Sequence, residues 1–383
     1  MSEIYAYGRE EVVYVARESA NAFGSLVYPA GADAINVLKA DFGFKQERGD
    51  IRPKGATRSL IDRVTRRKTA DWSIEKYLLP SGDIGGDVPP DDYSLWEAAF
   101  GAVDQTGMIF SLAAEPALSL TLMRKYGPHL EIIYGAVPSK WGLKFGGGDD
   151  PKVTFSGQAA DQWFGGANDL DTLAEAATAT DEIVVHDASL FALGMKIVVG
   201  DEDNGGDGFV ITDIDLLTNT LTLDDPVTSQ DEDAAVIPLA LIPETAGNVI
   251  PVVIGTVKFN GDPVYITGAS FDLDQKVKMR NDEYGTDKAR GFRHPDFRDV
   301  SCSLDLWFEK GAAAWLNDAK RFTAQDIEVV LGNAAGSMMQ IDCNQVEFTI
   351  PKPEYPDTDE GKIALAGKCL GDDGEDEISV TFM

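Results

Sequence analysis

Short runs in which apolar and polar residues alternate one by one, closed off by Gly, Pro, Asn or Asp, recur along almost the whole chain. That period commits it to β-strands with one packed and one wet face. The clearest run is 271–280, where Phe271, Leu273, Val277 and Met279 face one way and Asp272, Asp274, Lys276, Lys278 and Arg280 the other. Asn260-Gly261, between Val257-Lys258-Phe259 and Val264-Tyr265-Ile266, is a hairpin signal, because both residues accept the positive φ of a type I′ turn. Helical spacing is rare. Trp96, Ala99, Phe100 and Val103 after Pro89-Pro90-Asp91-Asp92 predict a helix over 92–101, and Ala312, Trp315, Leu316 and Ala319 predict another over 311–321.

The order of elements occurs twice. A strand at 37–46, a basic polar loop, a strand at 69–78, the helix at 92–101, strands at 118–124 and 129–145, and a strand at 152–157 come first. They are echoed by a strand at 269–280, a polar loop with Lys288, Arg290, Arg293 and Arg298, a strand at 299–308, the helix at 311–320, and strands at 326–331, 338–350 and 362–370. The expected plan is mainly β and divergently duplicated: an N-terminal arm (1–30), a first half (31–165), an inserted module with its linkers (166–250) and a second half (251–383). The insert reads as short strands at 183–185, 196–199, 209–211, 220–223 and 236–237, entered through a short helix over about 168–177.

Charge separates these zones. The chain of 383 residues carries a net charge of -31, yet 45–68 holds nine basic residues against three acids, and 169–244 holds eighteen acids against Lys196 alone. A surface this acidic is not one that grips a phosphate backbone broadly. The basic run lacks aromatic residues on which bases could stack, so it reads as a solvated or subunit-contacting loop. With 44% hydrophobic and 25% charged residues the composition is that of a folded protein. No apolar run approaches the roughly 18 residues of a membrane span, and MSEIYAYGREE lacks the basic and apolar regions of a signal peptide, so no membrane partner is expected. Cys302, Cys343 and Cys369 lie in apolar or alternating segments and read as buried thiols.

Groups for catalysis are scarce. His129, His186 and His294 stand in no triad or metal-ligand signature, and no nucleophile elbow, zinc-protease, dinucleotide or P-loop pattern is present. The stretch 201–208 begins like a calcium loop but offers Thr212 where the bidentate Glu belongs, and strands flank it. The acids of 372–377 read as a hairpin turn. Expected catalytic residues, metal ligands and cofactors are therefore none.

Several ordered stretches resemble the tail tube (major tail) proteins of long, non-contractile, siphovirus-type bacteriophage tails. They are Glu10 to Ser19 with Gly24 and Pro29, Trp72 to Leu78 with Pro80-Ser81-Gly82, Leu95 to Gly101, Lys152 to Gly157, Phe297 to Val300, and Asp376 to Phe382. The resemblance implies two tandem β-sandwich or barrel halves of the tail-tube type, each with a flanking helix and a long loop. It implies a non-enzymatic virion protein whose rings stack into a conduit for DNA during ejection. Its main partner is itself, as homotrimeric rings with pseudo-sixfold symmetry or alternatively homohexamers. A tape measure protein and tail-end proteins are further implied partners. DNA is expected to cross the lumen without specific binding, and tails to assemble in the host bacterial cytoplasm. On this reading Asp41, Asp71, Glu75, Asp272, Asp274, Lys276 and Asp305 face the lumen, acids there keeping DNA from adhering. The long polar loops 45–68 and 281–298 reach the neighbouring ring, with Arg48, Arg52, Lys54, Arg58, Arg66 and Arg67 as inter-ring contacts. The competing reading is a β-rich carbohydrate-active or adhesin-type protein with an inserted β module; it requires a carboxylate pair in an aromatic-lined hollow.

Overall fold

The computed structural model describes residues 11–19, 22–51, 62–80, 90–146, 148–168, 170–244, 250, 254–308, 312–354, 360–372 and 374–383. The first half supplies β1 (Glu11–Arg17), β2 (Ala34–Ile35), β3 (Lys39–Ile51), β4 (Asp62–Tyr77), α1 (Tyr93–Phe100), β5 (Gly101–Asp104), β6 (Ile109–Leu112), β7 (Leu120–Tyr126), β8 (His129–Gly146), β9 (Asp149–Ala159) and β10 (Asp161–Gly166). Two sheets share β8. Its beginning pairs with β7 and β10, with β1 and β2 beyond β7, whereas its end pairs with β9, followed by β4 and β3. Gly135, at φ 63, and a register shift beside it turn β8 from one sheet into the other.

The inserted module contains β11 (Asp171–Thr172), β12 (Ala177–Val184), β13 (Lys196–Val199), β14 (Phe209–Asp215), β15 (Thr220–Gln230) and β16 (Ala235–Pro238), in the order β11-β16-β13-β14-β15-β12. The helix expected over 168–177 is not formed. Leu173 and Ala177, spaced as on a helix face, instead point from extended chain into the module's core.

The second half supplies β17 (Gly255–Phe259), β18 (Asp262–Val264), β19 (Gly268–Asp274), β20 (Lys278–Met279), β21 (Phe292–Arg293), β22 (Asp299–Trp307), α2 (Ala312–Arg321), β23 (Gln325–Leu331), β24 (Met339–Phe348), β25 (Lys362–Leu370) and β26 (Ser379–Phe382). Its pairings repeat the first half strand for strand: β18-β17-β23-β24-β26 in one sheet and β19-β22-β25-β24 in the other. Asn260 and Gly261, at φ 49 and 84, make the expected two-residue turn.

Among the described residues two strand pairings join the halves. β8 pairs with β19, so the sheets β3-β4-β9-β8 and β19-β22-β25-β24 run together as eight strands. β6 pairs with β26, so the β5–β6 hairpin of the first half extends the outer sheet of the second. A single core runs between the layers: Trp96, fully buried on α1, touches Phe100, Phe110, Trp141, Phe155 and Phe382 at centroid distances of 5.4 to 5.8 Å. A second core unites the module with the far side of the first half's outer sheet, where Tyr14, Met123, Ile132 and Trp163 meet Leu173, Met195 and Phe209. The hydroxyls of Tyr14 and Tyr28 and the Trp163 indole donate to module carbonyls at Leu241, Leu239 and Leu190. The three cysteines are buried and unbridged.

Candidate functional site

Side chains alternate along each of the eight joined strands. The inner set, including Trp72, Ile74, Trp141, Phe155, Phe271 and Leu304, is buried in the core, and the other set forms one broad polar wall. Register places one transverse row of that wall as Lys39, Glu75, Thr154, Gly142, Asp272, Ser301, Lys368 and Glu347, one residue from each strand. Asp41, Asp71, Glu75, Asp272, Asp274 and Asp305 all stand on this face, as alternation predicts. Lys276 lies just past β19, at φ 52, and binds back to Asp274 at 2.8 Å.

The wall is mixed in sign. Lys39 pairs with Asp41, Lys45 with Asp71 at 3.1 Å and Lys368 with Asp299, while Lys140, Lys144, Lys152 and Lys362 stand on the same face. Burial raises the Asp272 carboxyl above its usual range. Burial also pushes on Asp274, but hydrogen bonds from the Lys276 side chain and backbone outweigh it and hold that carboxyl low. The acid excess of the molecule therefore lies elsewhere, mostly in the module, across the sandwich from the wall. Glycine and serine make much of its floor, and a groove of about 950 Å³ opens over Gly142, Gly146, Gly268, Ser270 and Ser303.

The basic stretch is an antiparallel ribbon of β3 and β4, paired from Lys39↔Glu75 out to Ile51↔Asp62, with Arg48, Arg63 and Arg66 along it. Arg52, Lys54 and Arg58 lie outside the described residues. The loop from Gln275 to Arg298 behaves differently. It folds back on the first half, where Met279 and Ala289 pack on Val137 and Ala160, and Lys288 binds the buried Asp161 at 2.7 Å. The Lys68 amide donates to the Asp287 carbonyl at 2.9 Å, and Arg67 donates to the Glu283 carbonyl. This second loop is thus held by its own chain, and so is one of the six basic residues assigned to ring contacts, Arg67.

Among the described residues no group of three His, Cys, Asp or Glu converges to hold a metal, and no helix is long and apolar enough to cross a membrane. Over residues 8–383 the chain matches the family model described as phage tail tube protein, and it belongs to that family. No curated protein matches it. Membership makes it a structural component of the phage tail.

What sequence reasoning missed is the pairing on the wall. Lysines were visible at alternating positions of 140–152, but their neighbours across strands depend on register, which no local pattern displays.

Proposed function

We propose that three chains close a ring with six similar positions, that rings stack into the tail tube, and that the polar wall lines a bore through which DNA passes. One observation carries this reading: the joint between the halves has both of its outer counterparts open. β19 joins β8 through one edge, and there Phe271 and Leu273 are 0% and 1% exposed. Phe42 and Phe44 hold the same places in β3, opposite Trp72 and Ala70 as Phe271 and Leu273 stand opposite Cys302 and Val300. Yet Phe44 is 42% exposed, and among the described residues the corresponding edge of β3 has no strand beside it. At the other end of the eight-stranded sheet, the chain beyond β24 follows the line of β8, Glu354 standing to Lys362 as Lys144 stands to Lys152. Joining β3 of one chain to that edge of the next repeats the internal joint and covers Phe44. Pro351 and Pro353 withhold two donors from the edge, which makes this ladder weaker than β8–β19 and guards it against indiscriminate pairing.

In such a ring the module faces outward, away from the bore, where its charge stays hydrated and keeps tubes from bundling. Three basic ribbons, one per chain, are left to reach the adjacent ring. A tape measure protein and tail-end proteins complete the partner set that family membership suggests. Native mass spectrometry of rings released from tubes should give three copies of 41.3 kDa; a sixfold mass overturns the trimer. Phe44→Asp should leave a folded monomer, by circular dichroism, that forms no rings in negative stain.

A further inference from the structure

The two halves can be superposed without reference to charge. Gly157 of β9 stands opposite Trp72, and Gly367 of β25 opposite Cys302. Both are glycine for the same reason. A Cβ on Gly157 would sit 1.9 Å from the Val137 carbonyl oxygen, and one on Gly367 would sit 2.7 Å from Val346 Cγ1 and 3.2 Å from the Glu347 carbonyl oxygen. At these two points the shared strands β8 and β24 press on their neighbours. Five residues along from each glycine, Lys152 stands opposite Tyr77 and Lys362 opposite Trp307. Both halves thus place a lysine beside an aromatic ring at one level of the wall, and Lys362 Nζ lies 4.6 Å from the Trp307 ring centroid.

One strand further over, the halves part. Lys362 is bridged to Glu354 through backbone hydrogen bonds of 2.9 and 3.0 Å, so an acid stands opposite the lysine. Lys152 instead stands opposite Lys144. Like charges directly opposed on adjacent strands destabilise a sheet, and neither lysine has a carboxylate within 4.0 Å among the described residues. Their row continues through Ser270, Ser303 and Ala366 without an acid.

We propose that Lys144 and Lys152 form an anion-contact site for the phosphodiester backbone of DNA in the bore, an inference that rests on the ring reading above. An ammonium pair rising from a floor of glycine and serine meets a phosphate as two point charges and reads no base, which suits a cargo of arbitrary sequence. Three such pairs alternate around a trimeric ring with three Lys362–Glu354 pairs. Glu75 and Asp305, equivalent to each other in the superposition and one step away along the strands, keep the grip weak together with Asp149, Asp150 and Asp272 around the same groove.

The test measures fluorescence anisotropy of a labelled duplex of about 20 base pairs with open-ended tubes, at about 20 mM and about 200 mM salt. Parent tubes should bind at low salt, and Lys144→Gln/Lys152→Gln tubes about tenfold more weakly, with the difference vanishing at high salt. Lys196→Gln, in the module, should change nothing. Should the double variant fail to form tubes, Glu75→Gln/Asp305→Asn serves independently, since it must tighten binding several-fold. Equal binding by parent and double variant, no binding by parent tubes at low salt, no tightening in the acid variant, or preference for a poly-glutamate peptide over the duplex each overturns the assignment. Absence of tubes from the parent in negative stain instead overturns the ring reading.

Discussion

Between β1 and β2 the chain takes sixteen residues, 18–33; between their counterparts β17 and β18 it takes two. The long excursion is held by Glu18, a buried carboxylate that accepts from the amides of Gly24 and Gly135 and the hydroxyls of Ser119 and Thr121. A second contrast lies beside Tyr77 and Trp307. There the first half buries Lys76, 0% exposed, against Asp92 at 3.0 Å, whereas the second half has Leu306. A third is the outer sheet. In the first half β1 is buried on both faces because the module covers it, while β17 and β23 alternate between buried and wet. The two halves share the wall and the core between the sheets. They differ in what covers them, and the half with a second buried surface also holds the partnered buried groups Glu18 and Lys76.

Three experiments bear on that contrast. The largest effect is expected from deleting 379–383. β26 lines the core of both halves through Phe382, so a single cooperative thermal transition should be lost altogether; a first half that melts as before would show the halves to be independent. Next, Lys76→Leu copies the second half's residue into the first but strands Asp92 without its cation, and should cost about 3–5 kcal/mol in urea unfolding. Lys76→Leu/Asp92→Leu should recover most of it. The smallest effect is at Glu18, where Glu18→Gln should cost about 1–3 kcal/mol, because each carboxylate oxygen accepts from a backbone amide and the Gln NH2 that replaces one of them faces an N–H donor.

That last site also has a pH signature. Burial raises the Glu18 carboxyl above its ordinary 4.5, outweighing the hydrogen bonds that pull it down. The native state therefore holds this proton more tightly than the unfolded chain. Its contribution is greatest below 4.5 and declines as pH rises through the raised value, staying flat beyond. Urea midpoints of parent and Glu18→Gln across pH 4 to 7 should show the decline in the parent only.

Much of this was written in the sequence. Alternation at 299–307 and 362–370 marked strands with one wet face, and Val12 to Ala16, uninterrupted by polar residues, is the run that a strand covered on both sides requires. The repeated order of elements foretold the duplicated sheet. The β3–β4 ribbon was hidden because both of its faces meet solvent beyond the sheet, and a strand with two wet faces has no apolar period. The β5–β6 hairpin was too short to register. Lys76 follows the buried parity of Trp72 and Ile74, but its charge argues for the outside, and only the position of Asp92 resolves the conflict. Lys144 and Lys152 were each legible as wall residues; that they face each other was not.

The contact between Phe382 and Trp96 sets an order in time. A ribosome makes the chain from its beginning, so α1, β5 and β6 emerge with the whole module and nearly all of the second half still to come. Until 379–382 are made, β6 has no β26 to pair with and Trp96 lacks one of the rings around it. A nascent chain interrupted before that point carries the basic ribbon and the β3 edge on an unfinished sandwich. A truncated subunit therefore lacks the piece that closes its own first half: the strand beside β6 and one of the rings packed on Trp96.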